Sequence, residues 1–432
     1  MHRNIAANPP PLSFAQALVS VAAQAALLLE TSPAQEAVSL ADSLGRVLAA
    51  PILADRDQPP FDRATRDGYA VRAADLVSGQ PLRILGQVRA GEAWPGDQPP
   101  LASGQAIEIM TGAPMPAGAD AVLMVEHAER SPDNATLRPA TGRVLAPGAN
   151  FVPRASEARN GDCLAAPGTR MGVPHIAVAA GCGLTSLSVY ARPRVAILAT
   201  GDELVEPASP AAPIAAHQIY NSNSDSTAAL VQLAGAIPVR LPIARDRHQD
   251  IADGIRAGLD ADLLLLSGGV SMGKYDLVEE VLTGFDAEFF FTGVRIQPGK
   301  PLVFGRIPAG NIPASNAHPA RYFFGLPGNP LSTMVTFALF VRPLLAALAG
   351  EKDWQPPFAL ARLTQDFQHA PGLTRFLPAW LDTTQAEPTV TPVPWHGSGD
   401  LAANARANCY LVAPEDLPLV PAGTYVRVLL RG

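Results

Sequence analysis

The stretch LLLLSGGVSMGKYD, residues 263–276, decides the fold. Its four leucines show no alternation with polar residues, which predicts a strand buried on both faces, as in a parallel sheet covered by helices. Gly268 and Gly269 allow a sharp turn and a close approach of the backbone to a ligand. Asp276 fits the cap of a following helix. The turn is either an ordinary connection or part of a binding site, because ligands bind beyond the carboxyl ends of such strands.

The sequence around this stretch alternates between strand and helix patterns. RVAILATG, IPVRLPIA and RYFFGL read as strands, whereas DSTAALVQLAGA, HQDIADGIRAGL and the apolar run after Asn329 read as helices. Strands separated by helices are typical of βαβ units and a parallel sheet. We therefore predict an α/β domain over residues 191–350.

The flanking regions have a different texture. Residues 51–146 hold short β-like runs such as LRILGQV between turns rich in proline and glycine, which predicts a compact β domain. FAQALVSVAAQAALLL and EAVSLADSLGRVLA, both within residues 12–50, read as helical. Residues 147–190 are mixed and are expected to pack on these helices. Residues 351–432 are β-like and rich in proline, which predicts a separate small β domain.

Length and composition indicate two to four domains. The chain has 432 residues, of which 48% are hydrophobic and 16% charged, so it is too long for one ordinary domain and has ample material for cores. A net charge of −7 argues against non-specific nucleic-acid binding. Cys163, Cys182 and Cys409 form neither a disulfide framework nor a zinc pattern, which suits a reducing cytosol.

The amino-terminal residues MHRNIAANPPPLSF lack the apolar core of a signal peptide. The longest apolar run, near residues 334–350, contains Arg342 and Pro343. A buried helix explains this run better than a membrane span. We therefore expect a cytoplasmic protein without a membrane or nucleic-acid partner.

Candidate binding residues lie where the predicted strands end. In ILATGDELV, Thr200 and Gly201 end a strand, and Asp202 and Glu203 follow at its carboxyl edge. Such a carboxylate pair can hold a metal ion or accept hydrogen bonds from a polar ring system. The alternative is that these residues cap the next helix.

Two further turns favour anion binding. In GLPGNPLST, Gly328 permits a close backbone approach, Asn329 fits a helix N-cap and Pro330 the first helical position. The free N–H groups there, with the hydroxyls of Ser332 and Thr333, make a potential anion site. QPGKP, residues 297–301, presents Lys300 between prolines, although such a turn is most often only a turn.

The β domain carries two turn-rich motifs, PPFDRATRDGYA (59–70) and IMTGAPMPAGADAV (109–122). Their glycines and prolines would hold Asp62, Asp67 and Thr111 rigidly, although a structural turn is the alternative for each. The sequence shows no Ser-His-Asp order, nucleophile elbow, Walker A loop or clustered histidine ligands, so neither an obvious hydrolase nor a zinc enzyme is indicated.

These segments, taken in order, resemble the molybdopterin molybdenumtransferase family, called MoeA in bacteria and related to the carboxyl-terminal domain of gephyrin. The motifs PPFDRATRDGYA, IMTGAPMPAGADAV, LATGDELV, SGGVSMGKYD, IQPGKP and GLPGNPLS carry the resemblance, which spans the chain from about residue 12 to its end. It implies a multidomain α/β plus β protein. Its parts are an elongated amino-terminal helical and linker part (12–50 and 147–190), an inserted β domain (51–146), a central parallel-sheet molybdopterin-binding domain (191–350) and a β-barrel (351–432).

The resemblance also implies a reaction and an assembly. The family inserts molybdenum from molybdate into adenylylated molybdopterin and releases AMP, with a divalent cation, usually Mg²⁺. It forms homodimers whose clefts lie between subunits, and other proteins of molybdenum-cofactor biosynthesis are expected partners. Cleavage of a phosphoanhydride needs positioning and charge neutralisation more than a protein nucleophile.

Family positions assign roles to residues of this sequence. Catalytic roles fall to Asp67, Thr111, Glu203, Asp246 and Lys300, and the metal would be held by Glu203, Asp246 and Glu157. Lys300 and Ser332 fall at the molybdate pocket. Substrate binding falls to Thr200, Gly201, Asp202, Ser267, Gly268, Gly269, Ser271, Lys274, Pro298, Gly299, Gly328, Asn329, Ser332 and Arg375.

The sequence departs from the family pattern at several of these motifs. Lys274 stands where aspartate is frequent, Glu157 also replaces an aspartate, and Gln297 replaces a lysine. Leu373 and Pro378 stand where the family usually has basic residues, and Ala402 and Ala403 stand where it usually has serines. Either the site works with Lys274 and Arg375 supplying the lost charge, or the chain is a catalytically weak paralogue that binds pterin. We favour the working site because the glycine and acidic motifs are intact.

Two other function classes compete with the transferase. A gephyrin-like scaffold is disfavoured because the sequence has neither a long linker nor an extra partner domain. A molybdopterin adenylyltransferase or nicotinamide-nucleotide amidase relative would share the α/β domain but lack the β-domain motifs at 59–70 and 109–122.

Overall fold

The computed structural model describes residues 10–207, 213–268, 277–309 and 320–431. Its α-helices are Phe14–Leu29, Val173–Gly181, Ser222–Leu233, His248–Gly258, Leu277–Gly284, Pro330–Thr336, Arg342–Leu348 and Leu401–Arg406. A π-helical segment, Phe337–Val341, joins Pro330–Thr336 to Arg342–Leu348. Short 3-10 turns cover Ala41–Ser43, Ala73–Ser78 and Val125–His127.

The central domain is built on a six-stranded sheet. In spatial order its strands are Ile237–Arg240, Arg194–Ala199, Leu263–Ser267, Ala320–Leu326, Val303–Pro308 and Glu288–Phe291. Neighbours among the first four are parallel, and the last two are antiparallel additions. The predicted parallel α/β sheet is thereby confirmed.

The strand Leu263–Ser267 is buried on both faces, as its sequence predicted, because its leucines are at most 1% exposed. Leu263 and Leu265 join the cluster that contains the long apolar helix. Leu264 and Leu266 point to the opposite cluster, which contains Val278 and other residues of the helices His248–Gly258 and Leu277–Gly284. Asp276, the predicted cap of Leu277–Gly284, lies outside the described residues.

The predicted β domain holds a second six-stranded sheet. Its strands, in spatial order, are Ala121–Met124, Gly68–Val71, Gln105–Ile109, Leu82–Val88, Thr136–Pro139 and Ala128–Arg130. Apolar clusters cover the sheet on both faces. The two turn-rich motifs lie side by side, because Gly112 N donates to Ala64 O at 2.8 Å.

The segment EAVSLADSLGRVLA is not a helix, which corrects the sequence prediction. Gln35–Ser39 is a strand that pairs antiparallel with Ser186–Tyr190, and a 3-10 turn follows at Ala41–Ser43. Tertiary pairing overrides helix propensity here because the strand partner covers a segment too short to form a stable helix alone. Leu48 and Val189 belong to the small core of this region.

A five-stranded barrel closes the chain. Its strands are Phe358–Leu363, Thr374–Asp382, Thr389–Pro392, Cys409–Ala413 and Tyr425–Leu430. Thr374–Asp382 pairs with both Thr389–Pro392 and Cys409–Ala413, which completes the ring, so the β-barrel prediction is confirmed. Ile296–Gln297 runs parallel to Thr374–Arg375 and ties the barrel to the α/β domain.

The remaining strands form short two-stranded pairs. They are Ile52–Leu53 with Cys163–Ala165, Arg63–Ala64 with Phe151–Val152, Leu204–Val205 with Ile219–Tyr220, and Phe367–Gln368 with Leu419–Val420. The domain limits drawn from the sequence stay a prediction.

The helical continuum Pro330–Leu348 is long and apolar enough to cross a membrane, but 78% of its apolar window is buried in the fold. It packs against Phe14–Leu29, where the Phe14 ring meets Phe340 edge-on at 6.0 Å between centroids. Gln24 on the same helix accepts a hydrogen bond from the Tyr322 hydroxyl at 3.0 Å. The predicted buried helix is therefore observed, and the first helix belongs to the core of the α/β domain.

Candidate active site

A cavity of about 450 Å³ opens at the carboxyl ends of the parallel strands, and we call it the strand-end cleft. The site residues predicted from the sequence that line it are Thr200, Glu203, Ser267, Gly268, Gly328 and Asn329. They come from three separate motifs, which the parallel sheet brings to one edge. Ser267 and Gly268, at the end of the buried strand Leu263–Ser267, therefore line a cavity at the edge where ligands bind in such sheets.

Glycine is required at the floor of this cleft. Gly268 has a φ of +94°, and a Cβ there would lie 2.5 Å from the carbonyl oxygen of Thr200. Gly328 faces it, since a Cβ at Gly328 would lie 3.6 Å from the Cα of Gly268. The backbones of two strand ends thus approach closely and leave a surface without side chains for a flat ligand.

Asn223 was not predicted and links the two strand ends. Its side-chain Nδ2 donates to Ser267 Oγ at 3.0 Å and to Gly328 O at 2.7 Å. Its Oδ1 and the Oγ1 of Thr200 are buried and have no hydrogen-bond partner in the described parts of the chain. The sequence signal was the run NSNSDST at 221–227, a set of amide and hydroxyl side chains that begins a helix at the cleft.

The acidic edge of the cleft combines two loops. The N–H of Asp202 lies 3.4 Å from Asp246 Oδ2, and the N–H of Asp246 lies 3.4 Å from Asp202 Oδ1. Arg245 donates to the Asp202 carbonyl at 3.1 Å. Glu203 curls back over Gly201, where a Cβ would meet its Oε2 at 2.4 Å. Asp202 and Glu203, predicted as a carboxylate pair, therefore lie beside the loop of Asp246, which was predicted to hold the metal with Glu203.

The helix that begins after Asn329 also borders the cleft, but its first turn is partly occupied. Asn329 is the N-cap residue, yet its side chain makes no capping hydrogen bond. The N–H of Leu331 donates to Ser398 O at 3.1 Å, which uses one of the free helix donors. Thr333 Oγ1 donates to Pro327 O at 2.7 Å, and Ser332 is 3% exposed. The predicted anion site therefore has fewer free donor groups than the sequence suggested.

The turn QPGKP contacts the helix Pro330–Thr336 at Thr336, one helical turn after Ser332. Pro298 is buried and Lys300 is exposed, so the lysine is the part of the turn available to a ligand. Gly299 has a φ of +116°, and a Cβ there would lie 2.6 Å from Thr336 Cγ2. Arg375 stands in register with Gln297 and donates to Ala370 O at 3.3 Å. The predicted cations Lys300 and Arg375 therefore flank the same turn.

Asp67 and Thr111, predicted on different motifs of the β domain, are bonded to each other. Asp67 Oδ1 accepts from the Thr111 N–H at 2.7 Å and from its hydroxyl at 2.8 Å. The backbone and then the side-chain hydrogen bond of Thr111 lower the pKa of Asp67 below its usual range. Both residues are exposed, so an ionised carboxylate is held in a fixed position at the surface.

Glu157 forms an ion pair with Arg63, with 2.9 Å between Oε1 and Nη2. This partner belongs to the β domain and not to the acidic edge of the cleft. Asp62 lies in the same region and accepts from the Arg154 N–H at 2.8 Å. Within residues 10–207, 213–268, 277–309 and 320–431, no group of three or more His, Cys, Asp or Glu residues is arranged as a metal site. The structure thus does not bring Glu157 together with Glu203 and Asp246.

Four of the residues that depart from the family pattern, Leu373, Pro378, Ala402 and Ala403, lie in the carboxyl-terminal barrel region. Gly269, Ser271 and Lys274 lie outside the described residues. Pro378 is buried in the barrel strand Thr374–Asp382, and the N–H of Ala403 donates to Asp400 Oδ1 at 2.9 Å as part of a helix cap. Leu373 is half-buried, and Ala402 is exposed beside Leu401 of the cleft.

A larger cavity, of about 590 Å³, lies between Phe14 and the barrel residues Glu415 and Arg427. None of the predicted site residues lines it. Its lining also includes no residue at the carboxyl ends of the parallel strands, where ligands bind in such sheets. We therefore take the strand-end cleft as the candidate active site.

A glycine-floored cleft at the ends of a parallel sheet, within a chain that also carries an inserted β domain and a barrel, defines a multidomain ligand-binding α/β protein. Family models match most of the chain. They are the MoeA N-terminal region (domain I and II) at residues 12–183, a probable molybdopterin binding domain at 196–347, and the MoeA C-terminal region (domain IV) at 360–430.

Similar proteins agree with these models. A molybdopterin molybdenumtransferase of Nostoc sp. is 34% identical over 408 residues, covering 93% of this chain and 90% of the relative. One of Haemophilus influenzae is 31% identical over 396 residues, covering 91% and 93%. Crystal structures of a molybdopterin biosynthesis MoeA protein from Pyrococcus horikoshii cover 98% of this chain and 100% of theirs, with TM-scores of 0.70 at 30% identity and 0.75 at 26% identity.

The chain therefore belongs to the molybdopterin molybdenumtransferase family. It is a transferase of molybdenum-cofactor biosynthesis, as the order of its motifs indicated.

Proposed function

We propose that this chain inserts molybdenum from molybdate into adenylylated molybdopterin and releases AMP. The observation that carries the proposal is the strand-end cleft, with its paired glycine backbones, the hydroxyls of Thr200 and Ser267, and the amide of Asn223. A flat pterin ring with polar edges needs such a surface, because bare backbone contacts the ring while fixed hydrogen-bonding groups read its edge.

The contributions of individual residues follow from their positions. Gly268 and Gly328 would admit the flat part of the substrate, and the buried Thr200 Oγ1 and Asn223 Oδ1 have hydrogen-bonding capacity left for groups beside them. Lys300 and Arg375, which flank the QPGKP turn, would attract molybdate, a tetrahedral dianion. Holding the anion and the phosphoanhydride together replaces a protein nucleophile, since positioning and charge neutralisation lower the barrier.

Magnesium would be held at the acidic edge by Asp246 with Asp202 or Glu203, whose loops are within hydrogen-bonding distance of each other. These donors fit, because Mg²⁺ binds through one or two carboxylates and completes its shell with water and substrate phosphate oxygens. When bound, the ion supplies neutralisation of phosphate charge. Glu157 is a weaker candidate for a magnesium ligand, because its carboxylate is already paired with Arg63.

We also propose a homodimer in the cytoplasm. The helix Phe14–Leu29 contains no charged residue, and Val19, 69% exposed, lies on its outer apolar face. A partner subunit would cover such a surface, because exposed apolar faces mark association sites. Light scattering at micromolar concentration should give twice the chain mass of 45.2 kDa. A mass of one chain throughout that range would remove the shared-cleft model.

The proposed reaction is tested by AMP release from adenylylated molybdopterin with Mg²⁺, with and without molybdate. Glu203→Gln should slow AMP release at least about tenfold, as expected for loss of one charged contact to substrate or metal. Glu129→Gln, on an exposed strand of the β domain, is the matched control and should retain wild-type rates. Equal rates for wild type and Glu203→Gln would contradict the site assignment.

A further inference from the structure

We propose that Arg431 is a positioning residue for the strand-end cleft. It would hold residues 397–406, which we call the wall segment, in the place where they close one side of the cleft. This inference rests on the proposed function, because the effect on substrate requires that the pterin nucleotide bind in that cleft.

The wall segment belongs to the barrel domain but borders the α/β site. Gly399 and Leu401 line the strand-end cleft. The carbonyl of Ser398 accepts the hydrogen bond from the Leu331 N–H at 3.1 Å. Asp400 caps the helix Leu401–Arg406 by accepting from the Ala403 N–H at 2.9 Å. The segment is therefore attached to the cleft by its loop and ordered by its helix.

Arg431 grips the other end of this short helix. Its Nη1 donates to the carbonyls of Asn404 and Ala407, both at 2.6 Å. The Asn404 carbonyl also accepts from the Ala407 N–H at 3.2 Å. Arg431 therefore adds a charged donor to the last turn of the helix, where a cation complements the helix dipole. The guanidinium carbon lies 5.7 Å from the centroid of the Tyr410 ring. This cation–π contact joins Arg431 to the barrel strand Cys409–Ala413.

Asn404 connects this clamp to the cleft. Its side-chain Oδ1 accepts from the Tyr410 hydroxyl at 3.1 Å, and its Nδ2 lies 2.9 Å from the Met334 sulfur as a donor. Met334 is on the helix Pro330–Thr336, whose first residue, Pro330, lines the cleft. Asn404 is 2% exposed and Tyr410 3%, so the hydrogen bond between these two side chains is shielded from water.

Removal of the Arg431 cation should release the wall segment. A segment that spends part of its time away from the cleft lowers the observed affinity by the fraction of molecules with a complete site. The predicted effect is on substrate affinity, with a smaller effect on the rate at saturation, because Arg431 touches neither substrate nor reacting atoms.

The test compares Arg431→Met and Arg431→Lys with wild type in the full-length protein. Arg431→Met should raise KM for adenylylated molybdopterin roughly tenfold, the loss expected for a charge-assisted contact. Arg431→Lys should recover most of the affinity because its ammonium can reach the same carbonyls. Arg427→Met is the matched control. Arg427 is on Tyr425–Leu430, the strand that Arg431 directly follows, and its guanidinium carbon lies 3.9 Å from the centroid of the Phe358 ring.

Hydrogen exchange provides a readout that needs no substrate. Arg431→Met should speed exchange of the amides in residues 397–406 and of Leu331, whereas Arg427→Met should not. If Arg431→Met fails to fold, Tyr410→Phe tests the same connection by removing only the hydroxyl that bonds Asn404, and it should change both quantities in the same direction by a smaller factor.

The outcomes separate this inference from the proposed function. Unchanged KM and unchanged exchange in Arg431→Met, or in Tyr410→Phe, would overturn the positioning role even if the wild type is active. A wild type that does not bind adenylylated molybdopterin would overturn the proposed function and the effect on substrate. Equal losses in Arg431→Met and Arg427→Met would reduce the effect to barrel stability and overturn the clamp.

Discussion

At the scale of single residues, the β domain presents one carboxylate in an unusually well-defined position. Asp67 accepts two hydrogen bonds from Thr111, although 44 positions separate the residues in the sequence. The sequence indicated that both were held in rigid turns. It could not show that they are bonded to each other, because that contact depends on how the two motifs meet in the folded sheet.

We predict that Asp67→Asn lowers the rate of AMP release at least about tenfold, because a charge-assisted contact to ligand or metal is lost. The fold should persist, since the carboxylate is exposed. Asp133→Asn is the control. Asp133 is also exposed, and its pKa is likewise lowered, by hydrogen bonds from Ser131 and then Ala135. Wild-type AMP release by the Asp67 variant would exclude a role in the reaction.

The lowered pKa of Asp67 also predicts how pH affects stability. A carboxyl group whose folded pKa is depressed contributes stability above its unfolded pKa, near 3.9 for aspartate, and loses it as pH falls through the folded pKa. The difference in thermal midpoint between wild type and Asp67→Asn should therefore be constant above about pH 5 and shrink in more acid solution. A difference that grows as the pH falls would contradict the assigned hydrogen bonds.

At the scale of elements, the strand Leu263–Ser267 and its glycine turn could be predicted because burial on both faces leaves a direct trace in the sequence. EAVSLADSLGRVLA could not be assigned correctly, since its apolar spacing fits a helix and its strand partner Ser186–Tyr190 is remote in the chain. Asn223 was also missed. Its importance comes from bridging Ser267 and Gly328, which no local pattern reveals.

The glycine turn gives the prediction at this scale. Gly268→Ala should destabilise the protein by about 1–3 kcal/mol because alanine must adopt a left-handed backbone conformation. Its methyl group would also meet the Thr200 carbonyl, so pterin-nucleotide binding should weaken. Gly284→Ala is the control, because a Cβ there meets nothing within 4 Å. Denaturant unfolding with both variants measures the effect, and equal stabilities would contradict the described turn.

At the scale of the whole molecule, three side chains join the α/β domain to the amino-terminal helical and linker part (12–50 and 147–190). Glu351 accepts from Arg170 at 2.7 Å and lies 3.7 Å from Arg342, and Arg170 also donates to Gly45 O at 2.6 Å. Burial, and then the nearby Arg170, lower the pKa of Arg342 to about 10. Glu351 is thus the shared counter-ion of two crowded arginines.

Glu351→Gln should destabilise the protein by about 3–5 kcal/mol, because breaking a buried ion pair leaves uncompensated charge. Calorimetry should show a lower unfolding temperature for the transition that includes the α/β domain. Glu387→Gln is the control, since its pair with Arg362 is exposed and contributes at most about 1 kcal/mol. Equal unfolding temperatures for the two variants would mean that the cluster does not join the domains.

The modular architecture was readable from changes in composition along the chain and from the order of six motifs. The contacts between domains could not be predicted. The Arg170–Glu351 pair and the contact of the wall segment with the cleft each join segments that are distant in the sequence. The same reason limited the site prediction, in which the residues at each strand end were identified and the contacts between them were not.

The most direct test of the central claim is the stoichiometry of the proposed transfer. The purified chain would be given adenylylated molybdopterin, Mg²⁺ and molybdate, and AMP and pterin-bound molybdenum would be measured in the same samples. Our account predicts one AMP released for each molybdenum atom found on the pterin, with both products reduced together in Glu203→Gln. Pterin binding without AMP release, or AMP release that leaves no molybdenum on the pterin, would contradict it.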